Sequence, residues 1–381
     1  MNGPTWTTAL PHVVPTALHC LTEGSMPRQM ETWAEPGSRQ ILLWLIDGFG
    51  YDQMQEALTS HYMPHLNALL SSHRAQLRSM SSVYPSVTPV ALASLLTGSW
   101  PGEHGLVGRF MHLSAQWPLV DTLGSERLAA PFTPDRETLD RLVQRHGLSY
   151  EALLESRLQK GALTGLIHPD SSVVKTYISP VSLPSRMLDR KGSGVFRLSY
   201  AYWSYLDAVN HQRGAYSRDW IDEVQALDRM IDQLTDDVWP GPGPVWLWIT
   251  SDHGHQKIEE LLPYRALRQQ MPDLLPVPWG TDRMLGLSLT DEEAQQVREV
   301  SGRLFGDRVK MIKTAELWET GWLGPGARPW YQSRLGNWIL EPQGGAFWDT
   351  EELGTVSTRI SSHGGRTPEE LTIPWLEIRL D

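Results

Sequence analysis

Cysteine is almost absent from this chain, since Cys20 is the only one among 381 residues. An intramolecular disulfide is therefore impossible, and a metal site built from several thiolates is excluded. The sequence also lacks an apolar run of about 18 residues, the length that a transmembrane helix needs. Its first residues show no basic region followed by an apolar stretch. We therefore expect a cytoplasmic protein with no membrane partner.

Positive charge is scarce as well. The formal net charge is −11 at pH 7, and no stretch of the sequence forms a basic stripe. Because binding to a phosphate backbone needs clustered Lys and Arg, we expect no nucleic-acid polymer as a partner. The rest of the composition, 40% apolar and 20% charged, is that of a globular chain long enough to bury a large core.

Short apolar runs predict the fold class. Residues 41–46 and 245–250 are apolar runs too short for helices, and they read as buried parallel strands. The order strand, helices, strand, helix over residues 41–97 is typical of doubly wound folds. We therefore predict an α/β fold with a mostly parallel central sheet and helices on both faces. More locally, residues 150–158 predict an amphipathic helix and residues 161–167 a strand.

Shifts in composition predict the domain organisation. The proline-rich residues 1–37 suggest an irregular arm packed on the core. The core is predicted to comprise residues 38–259 and 348–381. Between these two parts, residues 260–347 are predicted to form a smaller inserted α+β cap.

Polar residues follow both predicted strands. Asp47 comes directly after the first run, and Asp252 and His253 follow the second. Ligands of open α/β sheets gather beyond the carboxyl ends of the strands, so these side chains are candidates for one site. The alternative for Asp47 is a role as an ordinary turn residue.

Three further residues have the chemistry and spacing of metal ligands. Asp207 and His211 lie four residues apart, on one face of a helical turn, and His363 lies in a glycine-rich turn. For His255, close to His253, we expect a supporting or structural role. Oxygen and nitrogen donors without thiolate suit two divalent cations, with Zn²⁺ favoured and Mn²⁺ or Fe²⁺ as alternatives.

Thr88 is the candidate nucleophile. It occupies the position of an N-cap, Pro89 follows as the first helical residue, and Gly98 ends the predicted helix. An unassisted threonine is a poor nucleophile, so an ordinary capped helix is the alternative. A bound metal ion would change this, because it lowers the pKa of a coordinated hydroxyl by several units.

Taken in order and spacing, these motifs resemble the alkaline phosphatase superfamily, and most closely its nucleotide pyrophosphatase/phosphodiesterase branch. The matching motifs are Asp47-Gly48, Thr88 placed ten residues before Gly98, Asp207-x-x-x-His211, the segment Ser251 to Gly254, and the segment His363 to Gly365.

The resemblance implies a ligand set and a reaction. One zinc ion would be held by Asp207, His211 and His363, and the other by Asp47, Thr88, Asp252 and His253. The implied activity is hydrolysis of phosphate esters, of the phosphodiesterase or nucleotide pyrophosphatase type, through a phosphothreonine intermediate. The implied substrate is a small-molecule phosphate ester or nucleotide.

One departure from the family pattern leaves alternatives open. Ala91 stands where animal members of the branch carry an asparagine that helps hold a phosphoryl oxygen. That role would pass to the metals, to the Val90 amide or to a cap residue. The alternative activity is that of a phosphonate hydrolase, which Lys310, Lys313 or Arg334 would support by reaching a substrate carboxylate. A metal-stabilised binding protein without catalysis is a third possibility, against which the intact Thr88 argues.

Overall fold

The computed structural model describes residues 4, 7–24, 27–111, 119–124, 137–189, 197–239, 241–275, 279–326, 332–350 and 358–381. The β-strands found there are β1 (Gln40–Ile46), β2 (Ala75–Ser81), β3 (Phe110–Met111), β4 (Val120–Asp121), β5 (Ser149–Glu155), β6 (Val174–Tyr177), β7 (Arg197–Trp203), β8 (Val245–Thr250), β9 (Gln256–Lys257), β10 (Glu260–Pro263), β11 (Trp279–Thr281), β12 (Met284–Leu287), β13 (Val309–Lys313), β14 (Trp338–Pro342), β15 (Ala346–Asp349), β16 (Ser361–Ser362) and β17 (Thr372–Arg379).

The α-helices of the same residues are α1 (Val13–Leu21), α2 (Tyr51–Thr59), α3 (Pro64–Ser71), α4 (Thr88–Thr97), α5 (Pro101–His104), α6 (Leu139–Arg145), α7 (Ala162–Ile167), α8 (Leu183–Leu188), α9 (Tyr205–Arg213), α10 (Arg218–Thr235), α11 (Tyr264–Gln270), α12 (Asp291–Phe305), α13 (Thr314–Glu319), α14 (Gln332–Leu335) and α15 (Pro368–Leu371). Within the described ranges, none of these helices has the length and apolar character that crossing a membrane would require.

A seven-stranded central sheet has the order β2-β17-β8-β1-β7-β5-β6. All seven residues of β1 are buried, and this strand pairs in parallel with both β7 and β8. The pairs β5–β7 and β5–β6 are also parallel, whereas β17 runs antiparallel to β2 and β8. The predicted α/β fold with a mostly parallel central sheet is therefore confirmed.

Helices cover both faces of this sheet because successive residues of β1 point to opposite sides. Leu43 and Leu45 belong to a core that includes residues of α1 and α4. Trp44 and Ile46 belong to a second core that includes residues of α2, α3 and α10. A continuous apolar strand is what a sheet buried on both faces requires.

Two local predictions were wrong. Residues 149–155 form strand β5 rather than a helix, because β6 and β7 flank them on both sides and residues 151–155 are buried. Residues 162–167 form helix α7 rather than a strand, with Ala162, Leu163, Leu166 and Ile167 buried at helical spacing. In both segments the neighbouring elements decided the conformation over the local pattern.

The N-terminal segment is more regular than its proline content suggests. Residues 10–12 form a 3₁₀ turn that leads into α1, where Val13, Ala17 and Leu21 are buried. The turn lies against α4, and Gly98 at the end of α4 approaches Pro15 closely. This segment therefore supports the helix that begins with Thr88.

A second sheet of six strands has the order β13-β14-β12-β11-β3-β4 and is antiparallel. Four of its strands come from residues 260–347, and the two short strands β3 and β4 come from residues 110–121. A buried ion pair connects this second sheet to helix α15, which directly precedes β17 of the central sheet. The Arg283 guanidinium, between β11 and β12, donates two hydrogen bonds of 3.0 Å to the Glu370 carboxylate.

Candidate metal centre

The candidate ligands form two clusters. The second cluster, which we define as Asp47, Asp252 and His253, lies at the ends of two adjacent strands. Asp47 follows β1 and the other two follow β8, its parallel neighbour, so the register of the sheet places them side by side. The Nε2 atom of His253 lies 3.4 Å from Asp47 Oδ1 and 3.3 Å from Asp252 Oδ2. All three side chains are buried.

Thr88 lies beside this cluster as the first residue of α4. Its Oγ1 is 3.2 Å from His253 Nε2. The predicted N-cap role was wrong by one residue: Val87 is the N-cap, and no side chain makes a capping hydrogen bond. The Thr88 hydroxyl is thereby directed to the second cluster instead of to its own helix.

The first cluster consists of Asp207, His211, His255 and His363. Helix α9 carries Asp207 and His211 one turn apart, and the loops after β8 and β16 carry the other two. The distances from Asp207 Oδ1 to the Nε2 atoms are 3.4 Å for His211, 2.9 Å for His255 and 3.5 Å for His363. The structure thus brings together all seven residues predicted from the sequence and adds His255 as a direct neighbour.

The contact between His255 and Asp207 could not be predicted from the sequence. The only signal was the position of His255 two residues beyond His253, directly after a strand whose end already delivers two site residues. Periodicity could not show that the loop turns this side chain toward α9, where its Nε2 meets Asp207.

Hydrogen bonds fix the orientation of three histidines in the same way. The Nδ1 atoms donate to backbone carbonyls: His211 to Ser361 at 2.9 Å, His253 to Gly254 at 3.1 Å, and His363 to Ser86 at 2.9 Å. A neutral imidazole with its proton on Nδ1 carries its lone pair on Nε2. Each Nε2 therefore faces its cluster as an acceptor, which is the arrangement of a metal-ligating histidine.

The electrostatics of the two clusters differ. Burial, reinforced by the charges of Asp252 and Asp207, raises the pKa of Asp47 well above its usual value. Burial alone would also raise the pKa of Asp207, but the nearby His211 and the two other histidines of its cluster hold it well below. Burial lowers the pKa of His363, and His253 lowers it further, so the imidazole is neutral at pH 7.

The donor atoms fit divalent cations. Among the described residues, neither Asp47 Oδ1 nor Asp252 Oδ2 has a hydrogen-bond partner, although both are buried. Unpaired buried carboxylate oxygens are costly unless a cation meets them. Four imidazole nitrogens and three carboxylates, grouped within 4.8 Å in each cluster, are ligands that Zn²⁺ accepts.

Two neighbours hold the second cluster in place. The Tyr202 hydroxyl donates a short hydrogen bond to Asp47 Oδ2, which leaves Oδ1 as the free oxygen. The backbone N–H of Gly48 donates to Asp252 Oδ1 at 3.1 Å. Gly48 has a φ of +72°, and a Cβ there would lie 2.8 Å from His255 Nε2, so only glycine fits between the clusters.

A cavity of about 170 Å³ opens beside the first cluster, with Thr88 in its wall. Its lining includes two arginines, Arg109 and Arg359, which sequence reasoning missed. Arg109 forms a two-point ion pair with Asp121, with both distances 3.1 Å, and Arg359 lies 3.7 Å from Asp282. A second cavity of about 80 Å³, which also has Thr88 in its wall, is lined mainly by apolar and tyrosine side chains.

The basic residues expected to reach the substrate point elsewhere. Lys313 lies 3.5 Å from Asp291 and over the ring of Trp338 on the second sheet, and Arg334 donates to the Gly105 carbonyl at 2.7 Å. Neither these two nor Lys310 lines the cavity of about 170 Å³. The Val90 amide is also engaged, since it donates to the Val87 carbonyl at 3.0 Å and is not free for a phosphoryl oxygen.

This architecture is similar to that of known proteins. No protein of curated function matches the sequence. Among solved structures, phosphonoacetate hydrolase from Sinorhizobium meliloti 1021 in complex with phosphonoformate superposes with a TM-score of 0.66 and 16% identity, covering 91% of this chain and 92% of that one. Murine ectonucleotide pyrophosphatase/phosphodiesterase 5, an inactive variant in complex with AMP, superposes with a TM-score of 0.65 and 14% identity, covering 89% and 88%.

These two similarities establish the fold. The family is shown by the sequence itself, because the model of the type I phosphodiesterase / nucleotide pyrophosphatase family matches residues 41–303, more than half of the chain. The resemblance seen in the motifs is confirmed. The chain belongs to the type I phosphodiesterase / nucleotide pyrophosphatase family and is a phosphoric ester hydrolase.

Proposed function

We propose that the protein hydrolyses small-molecule phosphodiesters of the nucleotide type, with Thr88 as the nucleophile and a divalent cation at each cluster. The position of Thr88 supports this most directly. Its hydroxyl is 3.2 Å from His253 Nε2, makes no helix cap, and lies in the walls of both cavities. A threonine that served only to cap the helix would occupy the N-cap position and direct its oxygen to the helix N–H groups, whereas Thr88 is the first helical residue.

The proposed reaction has two displacements. When bound, the two cations would lower the pKa of the Thr88 hydroxyl and offset the charge of the phosphoryl oxygens. Thr88 Oγ1 forms a bond to phosphorus as the ester P–O bond opposite breaks, and the leaving oxygen departs as an alcohol after taking up a proton. Water then cleaves the phosphothreonine, which releases a phosphate monoester and restores the hydroxyl.

Charge favours a diester over a monoester. Two divalent cations bring +4 and the three cluster aspartates −3, which leaves about +1, a match for a diester monoanion. A monoester dianion usually needs an additional arginine fork. Both arginines of the larger cavity already contact aspartates. The Arg109 guanidinium donates two hydrogen bonds to Asp121, and Arg359 lies near Asp282.

The smaller cavity offers a place for the second ester group. Leu92, Leu154, Leu163 and Tyr200 line it next to Thr88. A phosphate monoester has no second ester group to bury there, whereas an aryl or nucleoside diester has one.

Cleavage of a phosphonate is the second candidate, favoured by the two arginines in the larger cavity. Arg109 or Arg359 would bind a substrate carboxylate after releasing its aspartate. Thr88 would attack phosphorus as before, the C–P bond would break, and the carbon would take a proton from water. The similar Sinorhizobium meliloti protein is a phosphonoacetate hydrolase, but at 16% identity that likeness shows the fold alone.

A substrate comparison tests the proposal. The zinc-loaded protein is assayed with bis(4-nitrophenyl) phosphate, 4-nitrophenyl phosphate and phosphonoacetate at one pH and metal content, and kcat/KM is compared. We expect the diester to be cleaved at least tenfold better than either alternative, a difference of about 1.4 kcal/mol in transition-state binding. An Arg359→Met variant is expected to keep the diester activity within a few-fold.

A tenfold preference for the monoester would contradict the proposed pocket chemistry. Release of phosphate from phosphonoacetate that Arg359→Met abolishes would establish the second candidate instead. Cleavage of none of the three by metal-loaded protein would contradict both.

A further inference from the structure

Ser86 is a fully buried polar residue two positions before Thr88. It makes hydrogen bonds to three consecutive residues of the turn that begins with His363. Its carbonyl accepts from His363 Nδ1 at 2.9 Å, and its hydroxyl accepts from the Gly364 N–H at 3.1 Å and donates to the Gly365 carbonyl at 2.8 Å. The segment before the proposed nucleophile is therefore attached to the turn that carries a residue of the first cluster.

The Ser86 hydroxyl is fully used in this contact. It donates its one hydrogen and accepts one N–H, and both partners are backbone groups of adjacent residues. Gly364 and Gly365 are buried, so a side chain without a hydroxyl would leave a buried N–H and a buried carbonyl without these partners. A residue that only filled space at position 86 would need neither bond.

Close packing of the backbone supports the same contact. Gly364 has a φ of +122°, and a Cβ there would lie 3.1 Å from Val87 Cγ1 and 2.9 Å from Thr281 Oγ1. Only glycine therefore allows the turn to approach Val87, which is the N-cap residue of α4. The turn thus lies against both residues that directly precede Thr88.

A ring contact extends this link to the second cluster. The imidazoles of His363 and His253 are stacked, with their centroids 3.5 Å apart and an angle of 13° between the ring planes. His253 Nε2 in turn lies 3.2 Å from Thr88 Oγ1. A shift of the turn would therefore move a donor of the first cluster relative to the second cluster and to the Thr88 hydroxyl.

The proposed reaction is sensitive to that geometry. Thr88 Oγ1 must approach phosphorus opposite the leaving oxygen while the donors of both clusters keep their places. Groups in such a site must be held within ~0.5 Å, and a displacement of ~1 Å can lower the rate by about 10²-fold. We propose that Ser86 is a positioning residue that fixes His363 of the first cluster relative to the nucleophile Thr88. This inference rests on the proposed function.

Kinetics of a variant that lacks one hydroxyl test the proposal. Ser86→Ala removes both side-chain hydrogen bonds, and Ser86 is not among the residues that line the two cavities beside Thr88. With zinc-loaded protein and bis(4-nitrophenyl) phosphate, we expect kcat to fall by at least about tenfold while KM changes by less than about threefold. Ser86→Thr, which keeps the hydroxyl, should retain kcat within about threefold of the wild type.

Zinc binding provides a readout that does not need turnover. Because Ser86 holds the turn that orients His363, Ser86→Ala should weaken one zinc-binding step by about tenfold and leave the other unchanged. Titration against a competing chelator measures both steps.

Ser94→Ala is the matched control. It removes another fully buried hydroxyl, which belongs to α4, donates to the Val90 carbonyl at 2.9 Å and lies outside both cavities. Like Ser86→Ala, it should lower the stability towards denaturant, but it should leave kcat and both zinc-binding steps unchanged.

Wild-type kcat and two wild-type zinc-binding steps in folded Ser86→Ala would overturn the proposal. An equal loss of kcat in Ser94→Ala would also overturn it, because general destabilisation would then explain the effect. If Ser86→Ala does not fold, Ser86→Cys takes its place, since a thiol fills the site but is a weaker donor and acceptor. The same losses are then expected at about threefold, and their absence would contradict the inference.

The two readouts also separate this inference from the proposed function. A weakened zinc-binding step in Ser86→Ala, when the wild type does not cleave the diester, would uphold the placement of His363 by Ser86 and contradict the proposed function. Unchanged zinc binding in that case would contradict both. Equal cleavage by the wild type and Ser86→Ala, with unchanged zinc binding, would uphold the function and contradict the role of Ser86.

Discussion

The two clusters use the same types of side chain in opposite proportions. The first has three imidazoles and one carboxylate, and the second has two carboxylates, one imidazole and the neighbouring Thr88 hydroxyl. Three members of the first are 11–19% exposed toward the larger cavity, whereas the second is at most 4% exposed. The first cluster is thus partly exposed to solvent, whereas the second cluster is buried.

The difference shows which cluster depends more on its cation. A buried pair of carboxylates repels itself, and the raised pKa of Asp47 is the sign of that repulsion and of burial. In the first cluster, which has only one carboxylate, the histidines hold the pKa of Asp207 well below its usual value. A cation would therefore relieve more unfavourable charge at the second cluster than at the first.

The largest expected effect comes from Thr88→Ala. Removing the proposed nucleophile should lower kcat for the diester by at least about 10³-fold, because no other described side chain replaces its oxygen. Metal content, measured by elemental analysis, should stay near that of the wild type, since Asp47, Asp252 and His253 remain. Thr88→Ser is the matched control and should keep measurable activity. Activity above a few per cent in Thr88→Ala would make water the attacking group.

Neutralising one carboxylate in each cluster sharpens the comparison. Asp252→Asn and Asp207→Asn should each lose about one bound metal ion per chain. Without metal, however, Asp252→Asn should be at least as stable as the wild type, because it relieves the repulsion on Asp47. Metal-free Asp207→Asn relieves no repulsion between carboxylates and should not be stabilised, because Asp207 is the only carboxylate of its cluster. Denaturant unfolding after chelation measures both variants, and an equal change in stability would contradict the expected difference.

Tyr202→Phe should act on the second cluster alone. It removes the hydroxyl that donates to Asp47 Oδ2 and leaves that buried oxygen without its partner. Supporting hydrogen bonds of this kind contribute about 10–100-fold to metal affinity. Zinc titration against a competing chelator should show one weakened and one unchanged binding step. Two equally weakened steps would show that the clusters do not act separately.

The smallest expected effect is the pH dependence of the metal-free protein. Burial lowers the pKa of His255 from 6.5 to about 3. Below pH 6.5 the unfolded chain therefore binds a proton at this residue, whereas the folded chain does not. Stability therefore falls as the pH drops through that window, by up to about 1.4 kcal/mol per pH unit for one such group. Asp47 acts in the opposite sense, because its raised pKa costs stability as the pH rises above 3.8.

Denaturant unfolding at pH 7.5, 6.5 and 5.5 checks this dependence. The expected decline should be shallower in His255→Gln than in the wild type. An unchanged slope would mean that His255 does not remain neutral in the folded protein.

The sequence by itself determined the frame of the site. The apolar runs before Asp47 and Asp252 predicted two buried parallel strands, and strands of that kind deliver the residues that follow them to one edge of the sheet. The Asp207-x-x-x-His211 spacing needed only one helical turn to place two donors together. These features follow from short-range geometry, which a single sequence displays.

The tertiary structure decided the rest, because those features depend on contacts between residues far apart in the chain. Strand β5 was misread as a helix because its partners β6 and β7 are defined by the sheet and not by its own pattern. Arg109 and Arg359 reach the cavity from separate loops, whereas Lys313 lies against the second sheet. The turn after β8 brings His255 Nε2 to Asp207, and Ser361, more than a hundred residues away, lies 3.0 Å from the other ring nitrogen.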